Sequence, residues 1–368
     1  MPRYNYAAQL DGELRGLMRD IRGMLLDGRY VLTREVEDFE QAFAAYLGVP
    51  HARGVGSGTD ALVIALQALG IGPRDEVVTH ANTFHATVAA IVLVGATPVL
   101  VDAVEETFLM DVEQASAAVT TRTRVLVPVH LCGKPTPMEP VLALAERHGL
   151  RVMEDAAQAH GARWNGRRVG TFGIAGCFSF HPSKNLAAAG DGGAIVTHDA
   201  GLDAEIACRR ALGQRQQNDH VRVGMNSKLD ALQARILSAK LARLDRWSDE
   251  RRRAARWYHQ RLAGLPVRPQ AWDADEEHVF HLFQVSTDRR DALLEHLRGN
   301  GVDAVVRYPV PIHLQPAFAD QGWRAGQFPV AERLSRETLC LPIRPDLAED
   351  EVDYVAECIR GFFGGAGA

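Results

Sequence analysis

The chain has 368 residues, 46% hydrophobic and 24% charged, an ordinary globular make-up long enough for two domains and ample core. Its formal net charge of −5, with the signs mixed along the chain, argues against a nucleic-acid binder. Five scattered cysteines without a Cys-x-x-Cys pair fit a reducing cytoplasm better than secretion, and they offer no structural zinc pattern.

The opening residues 1–16 lack the apolar core of a signal peptide. Residues 35–47 place Val36, Phe39, Phe43 and Leu47 on one face, which predicts an amphipathic helix. A glycine-rich loop, 54–60, then leads into an apolar helix that ends at the breakers 70–73. Val77 and Val78 begin a strand, 83–94 read as a helix and 98–101 as a strand. The run 86–101 is apolar, but Gly95 and Pro98 break it, so it reads as helix, turn and strand rather than a membrane span. Strands at 125–129 and 151–153 flank a helix at 138–148. Two further apolar runs, 174–180 and 194–196, look like adjacent strands around a turn rich in Pro, Ser, Gly and Asp. This alternation predicts a mostly parallel, doubly wound α/β sheet flanked by helices. From about Leu229 the pattern becomes one long charged helix, whose basic run 251–253 reads as a solvated face. Beyond Gly264 the pattern is α+β: a strand at 280–285, a helix at 290–298, a Pro-rich loop at 309–316 and a final helix. The division is therefore 1–245 for a large domain and 246–368 for a smaller C-terminal one.

Three stretches can carry chemistry. Residues 54–60 put three glycines before a helix N-terminus, which suits either a phosphate cradle or a tight strand–helix turn. No Lys-Ser/Thr closes it as in a P-loop, and Thr59 stands where a dinucleotide fingerprint needs its third glycine. The stretch 154–161 follows a strand end, where open α/β sheets collect ligands. There Asp155 offers a carboxylate to a ring nitrogen, or caps a helix, and Gln158 lies three residues on. Phe84 either stacks on a planar ring or belongs to the core. In the turn between the adjacent strands, Lys184 is either solvated or partly desolvated, and desolvation favours the neutral, nucleophilic amine.

In chain order, the cradle, the aromatic, EDAAQAHGA, FSF-x-P-x-KN with GDGGA, and G-x-NS-K-LD resemble the nucleotide-sugar aminotransferases of the DegT/StrS family. GIGPRDEVV, PVHLCGKPTPM, HVFHLFQV, YPVPIHLQPAF and FPVAERLSRETLCLPI extend the resemblance over nearly the whole chain. The resemblance implies the aspartate aminotransferase fold and pyridoxal 5′-phosphate (PLP) as cofactor. Lys184 would be the Schiff-base lysine and proton shuttle, Asp155 the partner of the pyridine nitrogen, and Gln158 that of the ring hydroxyl. Phe84 would stack on the cofactor, and Gly58, Thr59 and Ser179 would bind its phosphate. Asn226 would reach that phosphate from the neighbouring subunit of a homodimer. Tyr308 and His313 would approach the sugar nucleotide, in their own or the partner's site.

The implied reaction moves an amino group from glutamate to a ketone on a nucleotide-linked deoxysugar, with no metal, membrane or nucleic acid involved. The alternatives are a keto-cyclitol aminotransferase and a regulatory or sensor protein on a PLP fold. Two departures stand out. The chain has Phe180-His-Pro-Ser-Lys-Asn185 where many relatives read FYPGKN, so His181 and Ser183 alter the pocket beside the lysine. Lys228 stands where many relatives carry Arg and lacks the bidentate fork. Both changes bear on which sugar is taken, not on the reaction.

Overall fold

The computed structural model describes residues 1–10, 12–273 and 277–364. Seven strands form the main sheet: β1 (His51–Val55), β2 (Glu76–His80), β3 (Thr97–Val101), β4 (Thr123–Leu126), β5 (Arg151–Asp155), β6 (Ala175–Ser179) and β7 (Gly193–Thr197). Their order is β1-β7-β6-β5-β4-β2-β3. Only β7 runs against its neighbours, pairing antiparallel with both β1 and β6. The other pairings are parallel. A sheet covered on both faces needs strands apolar throughout, and every residue of β2, β6 and β7 is buried.

Helices cover both faces. Gly58–Ala68, His85–Leu93 and Ala200–Arg210 pack on one side. Arg34–Leu47 and Ala231–Leu241 cover part of the other, joined there by Val112–Ala118 and Met138–His148. The expected amphipathic face of the 35–47 segment is the buried one: Val36, Phe39, Phe43 and Leu47 all lie in the core. Phe43 meets the rings of Phe178 and Phe180 edge-on, with centroids 5.1 and 5.4 Å away. Those contacts fix the strand that leads into the lysine turn.

The long charged helix is two helices, Ala231–Leu241 and Leu244–Leu262. Their apolar faces serve different cores. Ala231, Ala234, Leu237 and Leu241 pack under the main sheet, whereas Ala254, Ala255, Tyr258 and Leu262 pack in the C-terminal core. The chain also turns where Lys240 is drawn inward to donate to Ala187 O at 2.7 Å.

The basic run is not uniformly solvated. Arg251 is buried, and its Nη1 donates to Phe280 O and Ile343 O, both at 3.0 Å. A guanidinium that satisfies two loop carbonyls at once ties this helix to the C-terminal layer.

That layer is a three-stranded antiparallel sheet of β8 (Arg268–Pro269), β9 (Phe283–Ser286) and β10 (Thr338–Leu341). Helices Arg290–Gly299 and Glu349–Gly364 share its core. The central strand starts three residues later than its sequence suggests, because Phe280 sits in a turn at φ 42° with its ring stacked on His278.

The first five residues are bonded to this C-terminal layer, not to the large sheet with which a division at 245/246 groups them. The N-terminal amine donates to Gly301 O, Arg3 N to Asp303 Oδ2 at 3.2 Å, and Asn5 Nδ2 to Asp346 Oδ2 at 2.7 Å. Among the described residues, no helix is long and apolar enough to cross a membrane.

Candidate active site

The carboxyl ends of β5 and β6 and the N-terminus of helix Gly58–Ala68 open on a cavity of about 460 Å³, a size suited to a small ligand. Its lining includes Gly58, Thr59, Phe84, Asp155, Gln158 and Ser179. His181, Lys184 and Tyr308 also face it. The main sheet supplies one wall. The C-terminal layer supplies another through His281, Arg307 and Tyr308.

The cradle is built by close packing. Ser57 caps the helix, its Oγ accepting from Asp60 N at 3.0 Å, which leaves the N–H groups of Gly58 and Thr59 without intrahelical partners. A Cβ on Gly58 would lie 2.6 Å from Ser179 Cβ, so only glycine lets the helix start approach the end of β6. Ser227 braces the cradle from behind. Its Oγ donates to Asp60 Oδ2 at 2.7 Å and accepts from Gly56 N at 2.9 Å. The neighbouring Asn226 is exposed, pairs through its backbone with Ala211, and does not line its own chain's cavity.

Asp155, at the end of β5, is buried and accepts from Thr87 Oγ1 at 2.8 Å and from Ala157 N at 3.1 Å. Burial raises its pKa, while the Thr87 and Ala157 donors and the Lys184 charge oppose the rise. Glu154 points the other way and is fully enclosed. It accepts from the backbone N–H groups of Gly170, Phe172 and Gly173 at 2.6, 2.6 and 2.8 Å, and faces His130 Nε2 at 3.0 Å. It fixes the loop between β5 and β6.

Lys184 lies in the turn after β6, where its N–H donates to His181 O at 2.8 Å. Burial pushes its ammonium pKa down to about 8; Asp155 opposes this and Arg307 adds to it. Two nearby imidazoles, His160 and His281, stay neutral chiefly because they are buried, and the Lys184 charge acts in the same direction. His181 Nδ1 contacts Ser183 Oγ at 2.9 Å, so the two residues that depart from the common motif restrain each other at the cavity mouth.

Gln158 is held at both ends of its amide: Oε1 accepts from Cys132 N at 2.8 Å, and Nε2 donates to Tyr308 Oη at 3.1 Å. The Tyr308 ring lies 5.3 Å from that of Phe84. Tyr308 thus belongs to the cavity of its own chain. His313 does not line this cavity. It is buried in the short turn Ile312–Leu314, where Nε2 meets Glu332 Oε1 at 3.0 Å and its ring packs edge-on against Phe328. The same carboxylate oxygen also accepts from Gly326 N at 2.6 Å, so His313 closes a loop.

Sequence reasoning missed Thr87, Ser227, Arg307, Tyr4 and Tyr6 near or at the site. Thr87 and Ser227 lay inside or beside segments already singled out, and their hydroxyls are the signal that could have found them. Tyr4 and Tyr6 reach the cavity only because the N-terminus is bonded to the far end of the chain, which no local pattern announces.

Residues 15–360 match the DegT/DnrJ/EryC1/StrS aminotransferase family. The chain belongs to that family. This family member is 46% identical over 341 residues to a dTDP-3-amino-3,4,6-trideoxy-alpha-D-glucose transaminase of Streptomyces venezuelae, covering 92% of this chain and 90% of the relative. It is 42% identical to a "pleiotropic regulatory protein" of Geobacillus stearothermophilus, covering 99% and 98% of the two chains. The S. venezuelae DesV crystal structure, in complex with a ketimine intermediate, superposes with a TM-score of 0.95 at 44% identity and 98% coverage of both chains.

Aminotransferases of this family are PLP-dependent, and this protein is an aminotransferase of that kind. The residues present fit the cofactor. The helix start offers free N–H groups to a phosphate, Asp155 holds a carboxylate at the carboxyl end of the central strand, and Lys184 has an amine whose pKa burial lowers to about 8. Among the described residues no cluster of three His, Cys, Asp or Glu could hold a metal.

Proposed function

We propose that this aminotransferase moves the amino group of glutamate to a keto group on a nucleotide-linked deoxysugar. The observation that carries the reading is the facing pair of Lys184 and Asp155 in a cavity that ends in a phosphate cradle. The names of its relatives support the substrate class. When bound, PLP supplies the electron sink.

The chain's residues do the rest. Gly58, Thr59 and Ser179 anchor the phosphate, and Phe84 and Gln158 fix the ring's plane and rotation. Asp155 keeps a negative charge beside the ring nitrogen. Lys184 accepts a proton at Nζ from the donor's α-carbon and returns it, which suits an amine whose pKa lies near the working pH. The substrate ketone enters the same cavity beside His181 and Tyr308. Asn226 reaches the phosphate of a neighbouring subunit in a homodimer. The C-terminal segment 246–368 acts as a separate domain that closes one wall. Five free thiols support a cytoplasmic location.

Borohydride reduction of the holoenzyme followed by peptide mapping tests the reading. The pyridoxyl label is expected on Lys184, and label on Lys134 or Lys228 instead defeats it. Glutamate should convert the bound cofactor to its amine form. Asp155→Asn should slow that half-reaction about a hundredfold, since two pK units of lost ring protonation are roughly 2.7 kcal/mol.

A further inference from the structure

A second cavity, of about 360 Å³, lies between the N-terminal residues 4–9, the helix Leu244–Leu262 and the loop 344–348 that follows β10. Of all its lining residues, only Tyr4 also lines the catalytic cavity. Along the helix, positions 246, 250, 253 and 257 follow one another at spacings of three and four, so they form a single stripe beside this cavity.

The lining holds four arginines, Arg246, Arg251, Arg253 and Arg344, against two carboxylates, Glu250 and Asp346. Two of the arginines are answered. Arg246 lies 3.6 Å from Glu250. Arg344 Nη2 donates to both oxygens of Glu351, at 2.7 and 2.6 Å. Asp346 is occupied as well, accepting from Asn5 Nδ2 at 2.7 Å and facing Arg344 Nε at 3.4 Å.

Among the described residues, Arg251 and Arg253 form no ion pair. Arg251 is only 4% exposed. Its Nη1 is spent on two backbone carbonyls, and its buried Nε has no hydrogen-bond partner. Burial pushes its pKa down to about 10, the mark of a cation held without enough opposite charge. Arg253 is exposed at the cavity's side, with its guanidinium 5.5 Å from the centre of the Trp257 ring.

These features call for two different groups on one ligand. A guanidinium with a free donor matches a phosphate oxygen, and two guanidiniums match a dianion. The half-buried Trp257 indole, with a cation beside it, offers a face on which a flat ring can stack. The volume is near the lower end of the range for small-molecule sites, so it suits one base, one sugar and one phosphate better than a nucleotide-linked sugar.

We propose that this second cavity is a non-catalytic site for a nucleoside monophosphate, with Arg251 and Arg253 on the phosphate and Trp257 under the base. Because Tyr4 is a wall of both cavities, the ligand would sit directly behind the catalytic one.

Tryptophan separates the two sites experimentally. Trp247 and Trp257 line the second cavity, whereas no tryptophan lines the catalytic cavity among the described residues. AMP titrated into the PLP-loaded enzyme is expected to quench tryptophan fluorescence saturably. Adenosine, which lacks the phosphate, and ribose 5-phosphate, which lacks the base, should each bind at least about tenfold more weakly. Arg253→Gln should weaken AMP about tenfold to a hundredfold, and Trp257→Phe should remove most of the quenching. Both positions lie outside the catalytic cavity, so the rate at which glutamate converts the bound cofactor should stay at the wild-type value, which shows that the variants are folded. AMP that leaves the fluorescence unchanged, or binds no better than adenosine or ribose 5-phosphate, overturns the proposal. So does an Arg253→Gln protein that binds AMP as tightly as wild type, or a Trp257→Phe protein that keeps the full quenching.

Discussion

Lys184 carries the conflict between folding and function in this molecule. Its pKa is pushed from the ordinary 10.5 down to about 8 by burial, against the pull of Asp155. Between those two values the unfolded chain binds the proton and the folded chain does not, so stability rises with pH across the window. Below pH 8 the folded state bears the full cost of an ammonium in a half-closed cavity, on the order of 3 kcal/mol. In the cofactor-free protein, Lys184→Met removes that cost. The variant is therefore expected to be more stable than the wild type at pH 7, by about 1–3 kcal/mol once the lost support for Asp155 is counted. The gap should narrow as pH rises from 8 towards 10. Urea denaturation at several pH values measures it, and a variant no more stable than wild type at pH 7 contradicts the argument. Lys184 and Asp155 stood out in the sequence because each sits beside a strand end, but the roles proposed for them came from the family resemblance. Arg307 did not, because it reaches the cavity from the C-terminal layer, and no local pattern says which residue of that layer meets the main sheet.

Elements were readable where one periodicity served one core. The helix 35–47 buries the face its spacing announces, and β6 and β7 form the expected adjacent pair. Reading failed where one apolar pattern crossed from one core to another, so two helices looked like one and Arg251 looked solvated. It was also silent about Glu154, whose place in a quoted motif gave no role. That carboxylate accepts three backbone N–H groups from the loop before β6 and a contact from His130, and no water reaches it. Glu154→Gln keeps the shape but turns an NH2 group towards N–H donors. At least one buried donor then loses its partner, at a cost of roughly 1–3 kcal/mol, more because the lost acceptor is charged. The urea midpoint should fall accordingly, with the slope unchanged. Because the loop sits behind β5, Asp155 should lose registry with Thr87, and PLP affinity should fall in step with stability. A Glu154→Gln protein as stable as wild type would contradict the argument.

At the scale of the whole molecule, the family resemblance implies a site shared between two chains. Asn226 lies on the surface, immediately before the Ser227 that braces the cradle, and outside its own cavity. Nearby in the fold, the N-terminal helix Leu14–Asp27 packs on helix Ala231–Leu241 and leaves Leu25 and Leu26 exposed, with Tyr30, Val31 and Leu32 just beyond. An apolar surface of this kind supports a proposed isologous dimer, in which each Asn226 would serve the other chain's phosphate. If so, PLP and the dimer stabilise each other by mass action, and removing PLP should shift sedimentation towards monomer. Asn226→Ala should lose PLP affinity about tenfold to a hundredfold without losing the fold, as expected for one hydrogen bond to a charged group. Complementation is the sharper measurement. Asn226→Ala and Lys184→Ala homodimers are each impaired at both sites. In a mixed dimer both lesions fall on one site, and the other holds an intact Lys184 from one chain and an intact Asn226 from its partner. Activity should therefore return as subunits exchange, towards a quarter of the wild-type value in an equal mixture, because half the dimers are mixed and half their sites are whole. If fully exchanged mixtures recover nothing, Asn226 acts within its own chain or not at all, and the shared site is wrong.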